Sequence, residues 1–124
     1  MALKVAIIED DIAITQMYRM KFQSEGYEVE TAGDGESGLA LIQRFQPDIV
    51  LLDLMMPRMS GDAMLSRLRK TAWGKKIKVI ILTNLGETEA PASVKRNGVQ
   101  RFIVKADMTP RDVAEVVKAE LGSK

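Results

Sequence analysis

The 124-residue sequence predicts an α/β domain built on a doubly wound sheet of five parallel strands with five helices. Three observations carry that expectation. Runs apolar at nearly every position occur at 5–8 (VAII), 49–52 (IVLL), 79–82 (VIIL) and 102–104 (FIV), as strands covered on both faces require. Amphipathic helical patterns separate them. No repeat, low-complexity tract or linker-like shift in composition divides residues 1–124, so the chain reads as one domain.

Taken in order, VAII is the first strand. Ile14, Tyr18 and Phe22 then recur every fourth residue, with Met17 assigned to the same side and Gly26 placed to stop the helix. Residues 27–31 (YEVET) alternate apolar positions with Glu28 and Glu30, which fits a strand with one wetter face near a sheet edge. Leu39, Ile42 and Phe45 mark the second helix after Asp34-Gly35-Glu36, closed by Pro47. Met64, Leu65 and Leu68 mark the third, opening near Ser60-Gly61. The fourth is short, about two turns, with Pro91 in its first turn and Asn97-Gly98 as its stop. The fifth has Thr109 as N-cap, Pro110 at the first helical position and Asp112 three residues after the cap, with Val113, Val116, Val117 and Leu121 on the buried side. Right-handed crossovers place helices on both faces, and an edge position for the second strand favours the flavodoxin-like order 2-1-3-4-5.

Composition excludes several chemistries. There is no Cys and no His, hence no Cys/His zinc site, no thiol chemistry and no Ser-His pair. Any metal must be a hard cation held by oxygens. A net charge of +1 gives no bulk attraction to nucleic acid or acidic lipid, so direct contact with either is not expected, although it leaves room for a local patch. The apolar run at the N-terminus is too short for a secretory signal and is followed by three acids, and no stretch approaches the ~18 to 20 apolar residues of a membrane span. A cytoplasmic location is expected.

In this fold a ligand site lies beyond the carboxyl ends of the strands, near the switch between strands 1 and 3. There stand Glu9-Asp10-Asp11, Asp53, Thr83-Asn84 and Lys105. Two unit charges ~4 Å apart repel by about 4 kcal/mol at an effective dielectric near 20, so clustered carboxylates need cationic compensation. Lys105 supplies one charge and a divalent ion supplies two; Mg²⁺ suits, because it takes one or two carboxylates, keeps several waters and commonly adds a phosphate oxygen. A carboxylate so placed can act as a nucleophile toward phosphorus. Asp53, a lone acid on a central strand, is the candidate, with Asp10 on the metal directly, Glu9 through water, and Thr83 and Lys105 on the phosphoryl oxygens. Each residue also has a plain structural reading. An Asp after an apolar strand more often caps a turn or helix, acids opening a helix are favoured by its dipole, and a lysine is by default solvated.

The sequence resembles response regulator receiver domains of two-component signalling along essentially its whole length. The matching segments are VAIIEDD, DGESGL, PDIVLLDLMMPRMSG, VIILT and FIVKAD, of which residues 47–61 are the most specific. The resemblance implies that Asp53 is the phospho-acceptor and that Glu9 and Asp10 are Mg²⁺ carboxylates. It makes the Met55 backbone carbonyl a further metal ligand, and Thr83 and Phe102 switch residues. It implies a phosphoryl group received from a sensor histidine kinase or phosphotransfer protein, since this chain supplies the aspartate and no histidine. The signal then leaves through the face formed by helix 4, strand 5 and helix 5, to a downstream effector or a fused output domain. No catalysis is expected beyond self-phosphorylation from a phosphodonor and slow autodephosphorylation.

The chain departs from the family pattern at three places. Ala106 follows Lys105 where proline is usual, and because a non-proline cis bond costs roughly 2.5 to 4 kcal/mol a trans peptide is predicted. Asn84 stands where Ala or Gly is typical and, with Leu85 and Met55, is expected to restrict water and lengthen the life of the phosphorylated form. Gln100-Arg101 replaces the acids of winged-helix relatives, so a homodimer is possible but that group's contacts are not assumed. The competing readings are a degenerate receiver acting as a protein-binding module and an Asp-nucleophile phosphohydrolase. The latter generally needs a second Asp two residues on, where this chain has Met55. No GxGxxG or GxxxxGK[ST] follows any strand, which argues against a nucleotide-binding domain. No effector domain lies within these residues, and both a stand-alone receiver and a piece of a longer protein fit.

Overall fold

A computed structural model describes residues 2–84, 90 and 92–122. The elements are β1 (Lys4–Ile8), α1 (Ile12–Ser24), β2 (Glu28–Ala32), α2 (Gly35–Phe45), β3 (Ile49–Leu52), α3 (Gly61–Arg69), β4 (Lys78–Thr83), α4 (Ala92–Arg96), β5 (Arg101–Val104) and α5 (Pro110–Glu120). All four strand pairings are parallel and the order is β2-β1-β3-β4-β5, as the sequence predicts.

Strand alternation builds two cores. Ala6, Ile8, Val50, Leu52, Val79 and Ile81 face α2, α3 and α4, where Leu41, Ile42, Met64, Leu65, Leu68 and Val94 are buried. Val5, Ile7, Ile49, Leu51, Ile80, Leu82 and Ile103 face α1 and α5, against Tyr18, Phe22, Val113, Ala114 and Val117. This explains the continuous apolar runs of the central strands: each residue is buried on one face or the other.

Several details differ from expectation. Met17 is 44% exposed. The contact face of α1 is centred on Tyr18 and Phe22, and at 100° per residue Met17 falls off its edge. In α2 the buried positions are Gly35, Gly38, Leu41, Ile42 and Phe45, so Ile42 and Phe45 are buried as expected, while Leu39 is half-buried on the same core and Leu41 is buried in addition. Helix α4 spans five residues, shorter than two turns, and Pro91 lies outside the described residues. In α5 Ala114 is buried while Val116 is half-buried. The capping signals hold: Thr109 accepts from the Asp112 N–H, Asp112 accepts from the Thr109 N–H, and Gly26 adopts φ +93 just beyond α1.

Candidate functional site

The backbone ladder runs one residue past the strands on the switch side of the sheet. The Glu9 N–H donates to the Ala32 carbonyl at 2.9 Å and the Asp53 N–H to the Ile8 carbonyl at 3.0 Å, so Glu9 and Asp53 leave adjacent strands side by side. Both are buried, at 5% and 6% exposure, while Asp10 is exposed. One carboxylate oxygen from each of Glu9, Asp10 and Asp53 lies within 4.8 Å of the other two. Asp11 does something else. Its carboxylate caps α1 by accepting from the Ile14 N–H at 3.0 Å, and its own N–H donates to Glu9 Oε2 at 3.0 Å. The plain capping role thus belongs to Asp11, which frees the preceding pair.

Lys105 reaches the cluster from the turn after β5. Its ammonium donates to Glu9 Oε1 and, at 3.3 Å, to Asp53 Oδ2. There is no cis peptide among the described residues, so the predicted trans bond to Ala106 stands and still delivers the lysine to both acids. A single 3-10 turn over Lys105–Asp107 follows at once. Burial opposes the Lys105 charge, but its bonds to Glu9 and Asp53 outweigh that and raise its pKa. Burial pushes the Glu9 carboxyl up to about 7; the Lys105 and Asp11 hydrogen bonds oppose this and the Asp53 charge adds to it. Burial raises the pKa of Tyr18, in the core beneath α1; the Lys105 charge opposes this and the Glu9 charge adds to it.

One ammonium against three carboxylates leaves a net negative site whose candidate ligand atoms are all carboxylate oxygens. That donor set fits a hard divalent cation. The Met55 N–H donates to Asp53 Oδ1 at 3.3 Å, which holds the loop after β3 against the carboxylate, while the Met55 side chain is 59% exposed. Thr83 is fully buried at the end of β4, paired in register with Val104, the residue before Lys105. Asn84 is exposed next to it, and Leu85 lies outside the described residues. Phe102 is half-buried on β5, opposite Ile81, packed on the α2/α3/α4 core.

Two supports of the site escaped the sequence reading. Gly61 opens α3 directly over the Asp53 peptide: its N–H donates to the Leu54 carbonyl at 2.9 Å, and a Cβ there would stand 2.1 Å from the Asp53 carbonyl oxygen. Arg58 donates to Asp34 Oδ2 at 2.8 Å, while Asp34 caps α2 through the Ser37 N–H at 2.8 Å, so the same loop is tied to a neighbouring helix. The Ser37 hydrogen bonds and the Arg58 charge hold the Asp34 carboxyl below its ordinary range. A glycine following an acid-bearing strand is the only trace of this in the sequence.

Residues 5–118 match the family described as response regulator receiver domain. Among solved structures the chain resembles a CheY-like receiver domain protein from Methanospirillum hungatei, with 30% identity and a TM-score of 0.89 over 98% of this chain and 94% of that one. It also resembles a structure of the CheX-CheY-BeF3-Mg²⁺ complex from Borrelia burgdorferi, with 29% identity and a TM-score of 0.84 over 95% of this chain and 88% of that one. A curated relative, the DNA-binding dual master transcriptional regulator RpaA of Synechocystis, is 34% identical over 92% of this chain and 46% of its own length. The chain therefore spans about half the length of the curated relatives it matches.

Proposed function

Because this chain belongs to the response regulator receiver domain family, we propose that Asp53 accepts a phosphoryl group and that the domain signals by the change of shape that follows. One observation carries the reading. Asp53 is a buried carboxylate on a central strand, with Lys105 on one oxygen, the Met55 N–H on the other, and Glu9 and Asp10 within carboxylate reach.

Glu9, Asp10 and Asp53 would hold Mg²⁺, with the Met55 carbonyl as a further ligand. When bound, the ion offsets charge on the transferring phosphoryl oxygens. The protein's own groups do the rest. An Asp53 oxygen forms the new bond to phosphorus as the bond from phosphorus to the donor breaks, and the donor nitrogen or oxygen leaves with its electron pair. Lys105, already at Asp53 Oδ2, follows the added charge with a stronger hydrogen bond. Thr83 turns its hydroxyl toward the phosphoryl group, Phe102 moves into the space this vacates, and the α4/β5/α5 face changes for a partner.

The donor is a sensor histidine kinase or phosphotransfer protein, and the recipient of the signal is an effector protein or a fused output domain. Beyond this transfer and slow self-hydrolysis the domain catalyses nothing. Met55 and Asn84, both exposed beside the site, restrict the attacking water, so the phosphorylated form outlasts one bearing small residues there; substituting Ala at Met55 or Asn84 and following loss of acyl phosphate in excess Mg²⁺ reads this directly. The test of the main reading is labelling by a small acyl phosphate. Mg²⁺-dependent incorporation of one phosphoryl group, lost in Asp53→Asn, supports it. No incorporation in the parent protein identifies a degenerate receiver acting as a binding module.

A further inference from the structure

The balanced net charge conceals a segregation. Ten of the 18 Lys and Arg residues fall within residues 63–106, where the only acids are Glu87 and Glu89; the remainder of the chain carries eight bases against fifteen acids. The fold concentrates several of these cations at one edge. Helices in this sheet run antiparallel to the strands, so the C-terminal ends of α3 and α4, and the segment 70–77 leading into β4, lie at the edge opposite the carboxylate cluster.

An open cleft of about 320 Å³ lies there, lined chiefly by Arg69, Lys75, Lys76, Arg96 and Gln100, with Ile77 its one apolar side chain. Arg69 is its scaffold. Its guanidinium donates to the carbonyls of Ile77 and Asn97 at 2.7 Å, Gly98 at 2.9 Å and Gly74 at 3.0 Å, fixing the loop into β4 against the end of α4. Lys75, Lys76 and Arg96 are exposed, and none is in an ion pair among the described residues. Lys75 and Lys76 also border a second groove, of about 390 Å³, with the half-buried Trp73. Asp48 is the one acid bordering that second groove, and its carboxylate accepts from the Lys4 N–H at 2.7 Å; the first cleft has no acid in its lining. Like charges held together on a rigid scaffold favour an anionic ligand.

We propose that this edge binds the phosphate backbone of a nucleic acid. A single small anion would call for buried donors converging on one point, and the free cations here are exposed and spread over a loop and a helix end. An acidic peptide would call for an apolar anchor among the cations; the cleft itself offers only Ile77, and Trp73, in the adjoining groove, is half-buried. A polyphosphate chain needs neither, because release of its condensed counterions by several separated cations supplies the affinity. The site lies at the end of the sheet opposite Asp53.

The test is binding of a fluorescent mixed-sequence DNA duplex of about 20 base pairs to the whole chain, followed by anisotropy between 50 and 200 mM salt. Binding that falls steeply with salt is expected, with the slope of log affinity against log salt flattened by roughly 0.9 for each phosphate contact removed in a Lys75→Ala/Lys76→Ala/Arg96→Ala variant. Circular dichroism checks that the variant is folded, and Lys75→Glu alone, on the exposed loop, serves if it is not. Removing Arg111 and Lys118 from α5 should leave the slope unchanged. Absence of binding at 50 mM salt, an unaltered slope in the cleft variants, or equal competition by polyglutamate or by phosphatidylglycerol vesicles would overturn the proposal.

Discussion

Glu9 is pulled in two directions. Burial drives its carboxyl toward the neutral form, and Lys105 and the Asp11 N–H hold it toward the charged one; the balance leaves it at about 7. Because the folded value lies above the ordinary 4.5, the native state retains a proton that the unfolded chain has released between those values. The Glu9 contribution to stability is therefore fully present below about 4.5 and is lost as pH rises toward and through about 7. Urea denaturation of the metal-free protein at pH 5, 6 and 8 should show stability falling along that series, provided other titrations are matched by a Glu9→Gln variant that lacks the trend. The same proton competes with Mg²⁺, so apparent Mg²⁺ affinity should rise from pH 6 to pH 8 in the parent protein, measured by calorimetry, and change less in Glu9→Gln. At this scale the residue types of the cluster were legible, because ionic groups directly after apolar strands stand out. The division of labour within Glu9-Asp10-Asp11 was not, since it depends on which carboxylate the first turn of α1 captures.

The elements that carry the site differ in what a single change does to them. Gly61→Ala sets a Cβ 2.1 Å from the Asp53 carbonyl oxygen and 2.8 Å from Leu54 Cα, and backbone atoms cannot rotate away as a side-chain tip can. Overpacking of this kind costs about 1–3 kcal/mol. The strain falls on the peptide of Asp53, so phosphoryl labelling should slow as well as stability fall. Thr109→Ala is the contrast: it removes the α5 cap at about 1 kcal/mol and should leave labelling unchanged. Thermal melts and labelling rates on both variants separate the two effects. Helix α5 was readable almost residue by residue because its capping box, N1 proline and apolar spacing agree. Helix α2 was readable as a helix and in most of its face: Ile42 and Phe45 are buried as their spacing implies and Leu39 packs half-buried on the same core, but the fuller burial of Leu41 depends on the close approach to Ile8 and Met64 at Gly38. The close approach of α3 to β3 at Gly61 is a tertiary contact between residues separated by a loop, and no local pattern announces it.

Across the whole molecule the parallel sheet places its chemistry at one edge and its excess positive charge toward the other. Sheet order was legible because four fully apolar runs and one alternating run leave few arrangements of a doubly wound sheet. Charge segregation is equally present in the sequence, but a net value of +1 hides it until the fold shows which cations share an edge. No helix among the described residues is long and apolar enough to cross a membrane. The central claim concerns which atom takes the phosphoryl group, and borohydride trapping tests it most directly. An aspartyl phosphate is reduced by borohydride to homoserine, which peptide mapping locates. After treatment with a small acyl phosphate and Mg²⁺, homoserine at position 53 alone is the predicted result; homoserine at position 10, or none at all, would contradict the account.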